Sequence, residues 1–315
     1  MLFHMKENIY DIIIIGGGPA GITAGIYVTR QRMKTLLITK EYGGQMGKKA
    51  TEVCNYPGFG KIGGQKLIKK FVDHLDVQEF IEKKFAEVGK IEKDKENFIV
   101  ITTEKEKIYA KSVIIATGAD PRPLEVPGEK EFIGRGLSYC VTCDGPVFKN
   151  KDIVVIGGGN AGFEAAIFMV NYADNIYILE CGLKAMADAE NQEEAKKFGK
   201  IEIITNAEVK EIKGDKIVNA LVYEDLATKK IKTLDIQGVF VEIGSQPATA
   251  LAKGLVDFNE RDEIKVEFET FQTKTSGLFA VGDVNVGKYK QIVTAAGEGC
   301  KAALAAYEYV HKQKI

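Results

Sequence analysis

Two stretches of the chain share one order of apolar and polar positions. Asp11-Ile-Ile-Ile-Ile-Gly-Gly-Gly-Pro-Ala-Gly21 is an aliphatic run that breaks into glycines, and Ile22–Val28 then carries apolar residues at helical spacing. The order returns as Asp152-Ile-Val-Val-Ile-Gly-Gly-Gly-Asn-Ala-Gly162 followed by Phe163–Met169, so Asp11 matches Asp152 at an offset of 141 residues. A short aliphatic run without alternation reads as a strand buried on both faces. A second strand follows each helix, at Thr35–Thr39 and at Ile176–Glu180. Strand, glycine turn, helix, strand is the βαβ dinucleotide-binding unit, stated twice. Three further strands run into small-residue turns, at Lys111–Gly118, Gly238–Gly244 and Gly277–Asp283. Such strand ends form the ligand-binding edge of a parallel sheet.

Phe98–Ala110 and Ile201–Thr233 alternate apolar and polar residues around charged turns and predict small antiparallel meanders, one per domain. Leu67–Lys84 and Gln291–Gln313 carry helical spacing. Proline-containing segments near 119–123 and 245–248 read as linkers. The predicted fold is α/β, with two Rossmann-like (three-layer ββα) nucleotide-binding domains, the second inserted in the first. The inserted domain is 119–246, and the outer one is 1–118 with 247–315.

Each glycine of the repeat has its own task. Gly16 and Gly157 make the tight turn, Gly18 and Gly159 let the backbone approach a pyrophosphate, and Gly21 and Gly162 let helix and strand pack closely. The helix N-terminus then offers free N–H groups and a positive dipole end to phosphates. A single motif could be a chance glycine-rich turn. Two copies in this context predict two nucleotides, a pairing usual for a flavin with a nicotinamide.

Composition narrows this picture. A chain of 315 residues can bury the cores of two domains. A net charge of −1 gives no attraction to nucleic acid or an anionic membrane, and Lys48-Lys49, Lys69-Lys70 and Lys83-Lys84 read as solvated faces. Ile12–Ile15 is far too short to span a membrane, and the chain enters its first strand by Ile9, so a cytoplasmic location is expected. Five cysteines are too few for a disulfide scaffold. Cys140 and Cys143 stand two residues apart with Asp144 directly behind them, a spacing that lets the pair cycle between dithiol and disulfide. The alternative is half a zinc site. No second such cysteine pair exists and His4, His74 and His311 are scattered, so no metal is expected. Asp144 also suits a turn ahead of Gly145-Pro146. Cys54, Cys181 and Cys300 read as small buried or half-buried residues, Cys300 in the core of an alanine-rich helix, while Cys181, in a loop after an acid, is also compatible with exposure and is given no role.

Together these motifs resemble the low-molecular-weight thioredoxin reductases, and equally the C-terminal reductase part of the flavoprotein subunit of alkyl hydroperoxide reductase. The resemblance covers nearly the whole chain. It rests on Gly16–Gly21, Gly43-Gly44-Gln45, Glu52-Val-Cys-Asn55-Tyr-Pro-Gly-Phe59, Ala116-Thr-Gly118, Cys140-Val-Thr-Cys143-Asp144-Gly-Pro, Gly157–Gly162, Val281-Gly-Asp283-Val and Tyr289-Lys-Gln291. The glutathione-reductase-like branch places its redox cysteines soon after the first glycine turn, where this chain has only Cys54.

The resemblance implies an FAD site in the outer domain, at Gly16, Gly18, Pro19, Ala20, Gly21, Thr39, Gly43, Gly44, Gln45, Asn55, Val88, Ala116, Thr117, Gly118, Gly282, Asp283, Lys290, Gln291 and Ile292. Asp283 meets the ribityl or pyrophosphate part of FAD, and Gln291 the flavin ring. It implies a nicotinamide site at Gly157, Gly159, Asn160, Ala161, Gly162, Glu180, Ile243 and Gly244, and a homodimer. It further implies a Cys140–Cys143 disulfide reduced by the flavin, with Cys143 nearer the flavin and Cys140 open to exchange. Asp144 is then the acid and base for the departing thiolate, a role suited to a partly buried carboxyl.

One departure bears on the donor. NADPH-using members carry a histidine and two arginines after the second nicotinamide-domain strand, with another arginine four residues on. This chain reads Ile178-Leu-Glu180-Cys-Gly-Leu-Lys-Ala-Met186, without arginine. Glu180 stands 23 residues after Gly157, where a carboxylate accepts from the ribose 2′-OH of NAD and repels a 2′-phosphate. The hydroperoxide reductase flavoproteins share this acid and a stretch like Met186-Ala-Asp188. NADH is therefore the expected donor, and Lys184 leaves room for some NADPH use. The matching position in the first motif is Thr39.

The expected path runs from NADH through FAD to Cys140–Cys143, then by thiol–disulfide exchange to thioredoxin or a thioredoxin-like or glutaredoxin-like disulfide protein. In the family the inserted domain rotates about its linkers, here 117–121 and 244–248. Competing readings are the reductase component of a peroxiredoxin system, an NADH oxidase, a ferredoxin-driven reductase and a flavin-bearing redox sensor. The cysteine pair argues against the oxidase and the sensor, and the Gly157–Gly162 turn against ferredoxin. Any N-terminal redox module of the hydroperoxide reductase kind is expected on a separate protein.

Overall fold

The aliphatic runs become central strands in the computed structural model, which describes residues 9–49, 53, 55–95 and 97–312. The chain forms two units, 1–120 with 246–315, and 121–245. In the first, β1 (Tyr10–Gly17) leads through α1 (Pro19–Arg30) to β2 (Thr35–Tyr42), parallel to it with Ile12 opposite Thr35. After α2 (Gly44–Lys49) and α3 (Gly64–Asp76), β3 (Ile81–Phe85) adds outside β2. β4 (Val88–Asp94), β5 (Asn97–Thr102) and β6 (Lys107–Ile115) form a meander, and β6 continues in parallel beside β1. The chain leaves this unit through β7 (Ala119–Pro121).

The second unit begins with α4 (Glu129–Phe132), β8 (Leu137–Ser138) and α5 (Val141–Asp144), followed by a 3-10 turn, Gly145–Phe148. β9 (Ile153–Ile156), α6 (Asn160–Met169), β10 (Ile176–Leu179), α7 (Ala189–Lys197) and β11 (Ile201–Ile204) follow. A meander of β12 (Ala207–Gly214), β13 (Val218–Asp225) and β14 (Lys230–Asp235) precedes β15 (Gly238–Val241). The parallel sheet runs in the order β11-β10-β9-β15-β8. The chain returns through β16 (Ser245–Pro247), which pairs with β7, to β17 (Leu278–Ala280) beside β6 and to α8 (Ile292–Lys312).

Both faces of each parallel sheet are covered, which explains the unbroken apolar runs. Ile12 and Ile14 pack with residues of α1, α3 and α8, while Ile13 and Ile15 pack with Ile91, Phe98 and Val100 of the meander. In the second unit Val154 and Val239 meet Val209 and Leu221 of the meander, and Val155 and Phe240 meet Phe163 and Ala166 of α6. Each unit is thus a three-layer, Rossmann-like α/β arrangement. No helix among the described residues is long and apolar enough to cross a membrane.

Three expectations change, and one helix was not anticipated. The helix expected over Leu67–Lys84 stops at Asp76, and Phe80, at φ 64°, turns the chain into edge strand β3. Charged residues of the Ile-Glu-Lys-Lys-Phe run suit an open sheet edge, which the helical count ignored. The meander expected over Phe98–Ala110 is continuous with the main sheet, because β6 pairs with both β5 and β1. Ile201–Ile204 joins β10 in parallel rather than the meander. Helix α7 carries only one buried residue, Ala195, and so leaves no apolar period to read. Gln313 lies outside the described residues.

Candidate functional site

The two glycine turns share one geometry. Gly16 and Gly157 hold φ of 119° and 121°, a left-handed region that favours glycine. A Cβ on Gly16 would stand 2.2 Å from Ala116 O, and one on Gly157 2.4 Å from Glu242 O. On Gly21 and Gly162 it would meet Gly16 O at 1.9 Å and Gly157 O at 1.8 Å, preventing helix and turn from closing. Gly18 and Gly159 differ. Their backbones suit any residue, with φ of −80° and −86°, and a Cβ would meet nothing within 4 Å. The open space at the start of α1 and α6 fits a phosphate brought against the backbone.

In the second unit the middle glycine has a further task. Gly158 N–H donates to Glu180 Oε2 at 2.8 Å, and Gly182 N–H donates to Oε1 at 2.7 Å. A Cβ on Gly158 would lie 2.7 Å from Oε2. The residue after β10 is therefore held to the β9–α6 turn by one backbone donor and to its own following turn by another, and its carboxylate keeps acceptor capacity for ribose hydroxyls. Cys181 Sγ donates to Oε1 at 3.4 Å; burial, then this bond, push the Cys181 thiol up. Met186 and Ala187 N–H donate to Gly158 O at 2.8 and 3.0 Å. Asn160 bonds Asp188 twice, at 2.8 Å through Nδ2 and at 2.7 Å through Oδ1. Ala161 and Gly244 are exposed and Ile243 is half-buried. In the first unit the corresponding pair is Gly17 and Thr39, whose hydroxyl donates to Glu41 O at 2.6 Å.

Cys140 and Cys143 are joined by a disulfide, with 5.3 Å between their Cα atoms. The N–H groups of Cys143 and Asp144 both donate to Cys140 O, at 3.2 and 3.1 Å, and close the single turn of α5. Asp144 is half-buried, and its Oδ2 accepts from Ser138 Oγ at 2.5 Å. The Cys140 N–H donates to the same Oγ at 3.0 Å. Tyr139 donates its hydroxyl to Glu129, a buried acid that also accepts from Leu124 and Glu125 N–H at 2.7 and 2.8 Å. Burial, then the Glu129 bond, push the Tyr139 phenol up. The segment leading to the redox pair is thereby anchored at a buried carboxylate.

In the first unit, polar side chains from distant parts of the chain converge. Gln45 Nε2 donates to Asp283 Oδ2 at 3.2 Å and to Ala119 O. Asn55 Nδ2 donates to Gln291 Oε1 at 3.2 Å. Lys290 Nζ donates to Asp283 O at 3.2 Å and to Asn285 O, and pairs with Glu263 at 3.0 Å. Thr117 Oγ1 donates to Ala248 O at 2.7 Å. Burial pushes the Asp283 carboxyl up, Lys290 draws it partly back and Glu263 adds to the rise. Val88 opens β4 and packs against the apolar cluster on the Ile13 face, outside this polar group. Cys300 is half-buried, beside Tyr27 of α1, rather than in the core, because it sits one position off the buried stripe of α8. Cys54 lies outside the described residues.

Residues 10–299 match the family described as pyridine nucleotide-disulphide oxidoreductase. The chain belongs to this family. The oxidoreductase is 36% identical over 308 residues to the F subunit of alkyl hydroperoxide reductase from Staphylococcus aureus (strain MSSA476), covering 98% of this chain and 60% of that relative. It is 37% identical over 314 residues to the Escherichia coli (strain K12) protein of the same name, again spanning 98% of itself and 60% of the relative. Among solved structures it resembles thioredoxin reductase from Streptococcus pyogenes MGAS5005, with a TM-score of 0.91 and 34% identity, over 98% of this chain and 100% of that one. Thioredoxin reductase from Giardia duodenalis gives a TM-score of 0.92 and 34% identity, over 97% and 100%.

The structure also brings into these two regions residues that spacing did not single out. They are Gly158, Ser138, Glu129, Glu263, Asn285 and Glu298. Glu298 Oε2 accepts from Gly282 N–H and from Asn285 Nδ2, both at 2.7 Å, and burial pushes its carboxyl up. Gly158 alone left a signal, since it stands to Glu180 as Gly17 stands to Thr39.

Proposed function

We propose that this oxidoreductase passes two electrons from NADH, with FAD bound, to the Cys140–Cys143 disulfide and on to a disulfide of thioredoxin or a thioredoxin-like or glutaredoxin-like protein. The observation that carries this reading is the Cys140–Cys143 disulfide with Asp144 behind it, in the same unit as the Gly157–Glu180 cradle. FAD is held in the first unit, its pyrophosphate at the open Gly18 position and its more polar parts near Gln45, Asp283 and Lys290. When bound, the flavin supplies a two-electron centre between nicotinamide and disulfide.

The remaining work falls to the chain's own side chains. The start of α6 takes the dinucleotide pyrophosphate against Gly159, Asn160 and Ala161. Glu180 accepts from ribose hydroxyls and opposes a 2′-phosphate, which favours NADH. Asp144 holds and returns the proton of the cysteine thiolates, and the dithiol attacks the partner disulfide through a mixed disulfide. The strands β7 and β16 act as the hinge, and two copies of the chain form the working enzyme.

A second reading, reductase of a peroxiredoxin system, draws support from the 36% and 37% identities to the two alkyl hydroperoxide reductase proteins. The FAD-loaded protein, reduced anaerobically with NADH and then mixed with thioredoxin, glutaredoxin or a peroxiredoxin-coupled disulfide protein, separates the two. Rapid reoxidation by the first pair supports the leading reading, and rapid reoxidation by the third alone replaces it.

A further inference from the structure

We propose that Ser138 is a positioning residue for Asp144, its single hydroxyl holding the carboxyl behind the redox pair in both of that acid's protonation states. The proposal rests on the proton-handling role of Asp144 given above. Ser138 ends β8 and is 6% exposed. Its Oγ accepts the Cys140 N–H at 3.0 Å and donates to Asp144 Oδ2 at 2.5 Å, and Cys140 O stands 3.4 Å away as a second acceptor. A hydroxyl has one proton and two lone pairs. With Asp144 ionised, the Ser138 proton points to Oδ2. With Asp144 protonated, the acid's O–H donates to Oγ and the Ser138 proton turns to Cys140 O. The Cys140 N–H is accepted throughout. One buried side chain thus ties the backbone of the first cysteine to the acid behind the second.

Several titratable groups lie on the elements next to Asp144. Cys140 and Cys143 share its turn, and Tyr139 is bonded to Glu129 of α4. The 3-10 turn Gly145–Phe148 carries no charge, and where it meets α6 the neighbours of Gly145 are Phe168 and Met169. Glu164 of α6 is exposed. Glu242 follows β15, the strand beside β8, and replacing Asp144 alone separates its titration from that of Asp144.

Reduction by dithiothreitol tests this without nucleotide or partner protein. A dithiothreitol thiolate attacks one sulfur of the pair, the S–S bond breaks, and the electron pair leaves on the other cysteine sulfur, which takes the Asp144 proton. The second dithiothreitol thiol gives its proton to Asp144, closes the reagent's ring disulfide and releases the first cysteine as a thiolate that takes its proton from water. Two electrons pass from the reagent to the pair.

The rate for the FAD-loaded protein, divided by the thiolate fraction of the reagent, is followed from about pH 5 to about pH 9 by iodoacetamide quenching and mass spectrometry. The wild-type rate should fall through one break as pH rises. The bond from Oγ to the ionised acid is charge-assisted and stronger than the neutral bond Oγ accepts from the protonated acid, so Ser138→Ala should move the break up by about one pH unit. Ser138→Thr should restore it, and Asp144→Asn should remove it while its amide still donates to Oγ. An unshifted break in Ser138→Ala overturns the proposal. So does a break that survives Asp144→Asn, or a folded Ser138→Thr that differs from wild type. If Ser138→Ala does not fold, the threonine and asparagine variants decide. A failed NADH reading would leave these rates unchanged.

Discussion

Glu242 puts a carboxyl where the second unit has little water, and its replacement by glutamine has an effect whose size can be worked out. Its N–H donates to Ile156 O at 2.8 Å, in continuation of the strand ladder, and its carbonyl is the atom a Cβ on Gly157 would strike. Val239 and Val241 lie in the meander-side core and Phe240 in the α6-side core, so the alternation of β15 directs Glu242 toward the α6 side. Burial pushes its carboxyl from the ordinary 4.5 up to about 7. Between those values the folded chain binds more protons at this site than the unfolded chain does. Stability therefore falls as pH rises through the window, and the loss is complete above about pH 7. At about 1.4 kcal/mol per unit the gap corresponds to about 3 kcal/mol. The side chain keeps some solvent contact, which brings the expected loss to about 2 kcal/mol. Glu242→Gln keeps the shape and removes the titration. Urea unfolding of both proteins at about pH 5 and about pH 8.5, at constant ionic strength, should show the variant's advantage growing by about 2 kcal/mol between the two. The same pH dependence in both proteins would refute this assignment.

The glycine turns offer a paired test: Gly18→Ala and Gly159→Ala should fold, because a Cβ meets nothing there, yet retain FAD and NADH poorly. Gly21→Ala and Gly162→Ala should fail to give soluble folded protein, because the added carbon would lie within 2 Å of a backbone oxygen; expression and circular dichroism separate the classes. Glu180→Ala should raise KM for NADH by about 10-fold to 100-fold, the loss expected of a hydrogen bond to a charged acceptor, and narrow the margin over NADPH; steady-state kinetics with both nucleotides check this. Asp283→Asn should raise Tm of the flavin-free protein at neutral pH while weakening FAD retention. The sign follows because an acid raised by burial is destabilising once ionised, above its unfolded pKa. Thermal scans and flavin dialysis read the two effects.

What could be read from the chain was local. The glycine repeat was legible because three physical demands fall at fixed spacings within six residues, and the 141-residue offset repeats all three. Cys140, Cys143 and Asp144 are neighbours in sequence, so the chemistry proposed for them could be read without the fold. Gln45 and Asp283 come together across 238 residues, and only the family resemblance, not any spacing, assigned them to one site. Ser138 is six residues from Asp144 and reaches it because α5 turns back over β8, which a strand-or-helix period does not describe. The helical count past Asp76 failed because sheet-edge pairing with β2, a tertiary interaction, outweighs local spacing in Ile81–Phe85. Helix α7 went unseen because its surface is polar nearly all round.

Anaerobic titration of the FAD-loaded protein with NADH tests the central claim most directly. If electrons pass through the flavin to Cys140–Cys143, bleaching should be complete only after about two equivalents, one for each two-electron centre, and Cys140→Ser should need about one. No bleaching by NADH, or the same number of equivalents in both proteins, would contradict it.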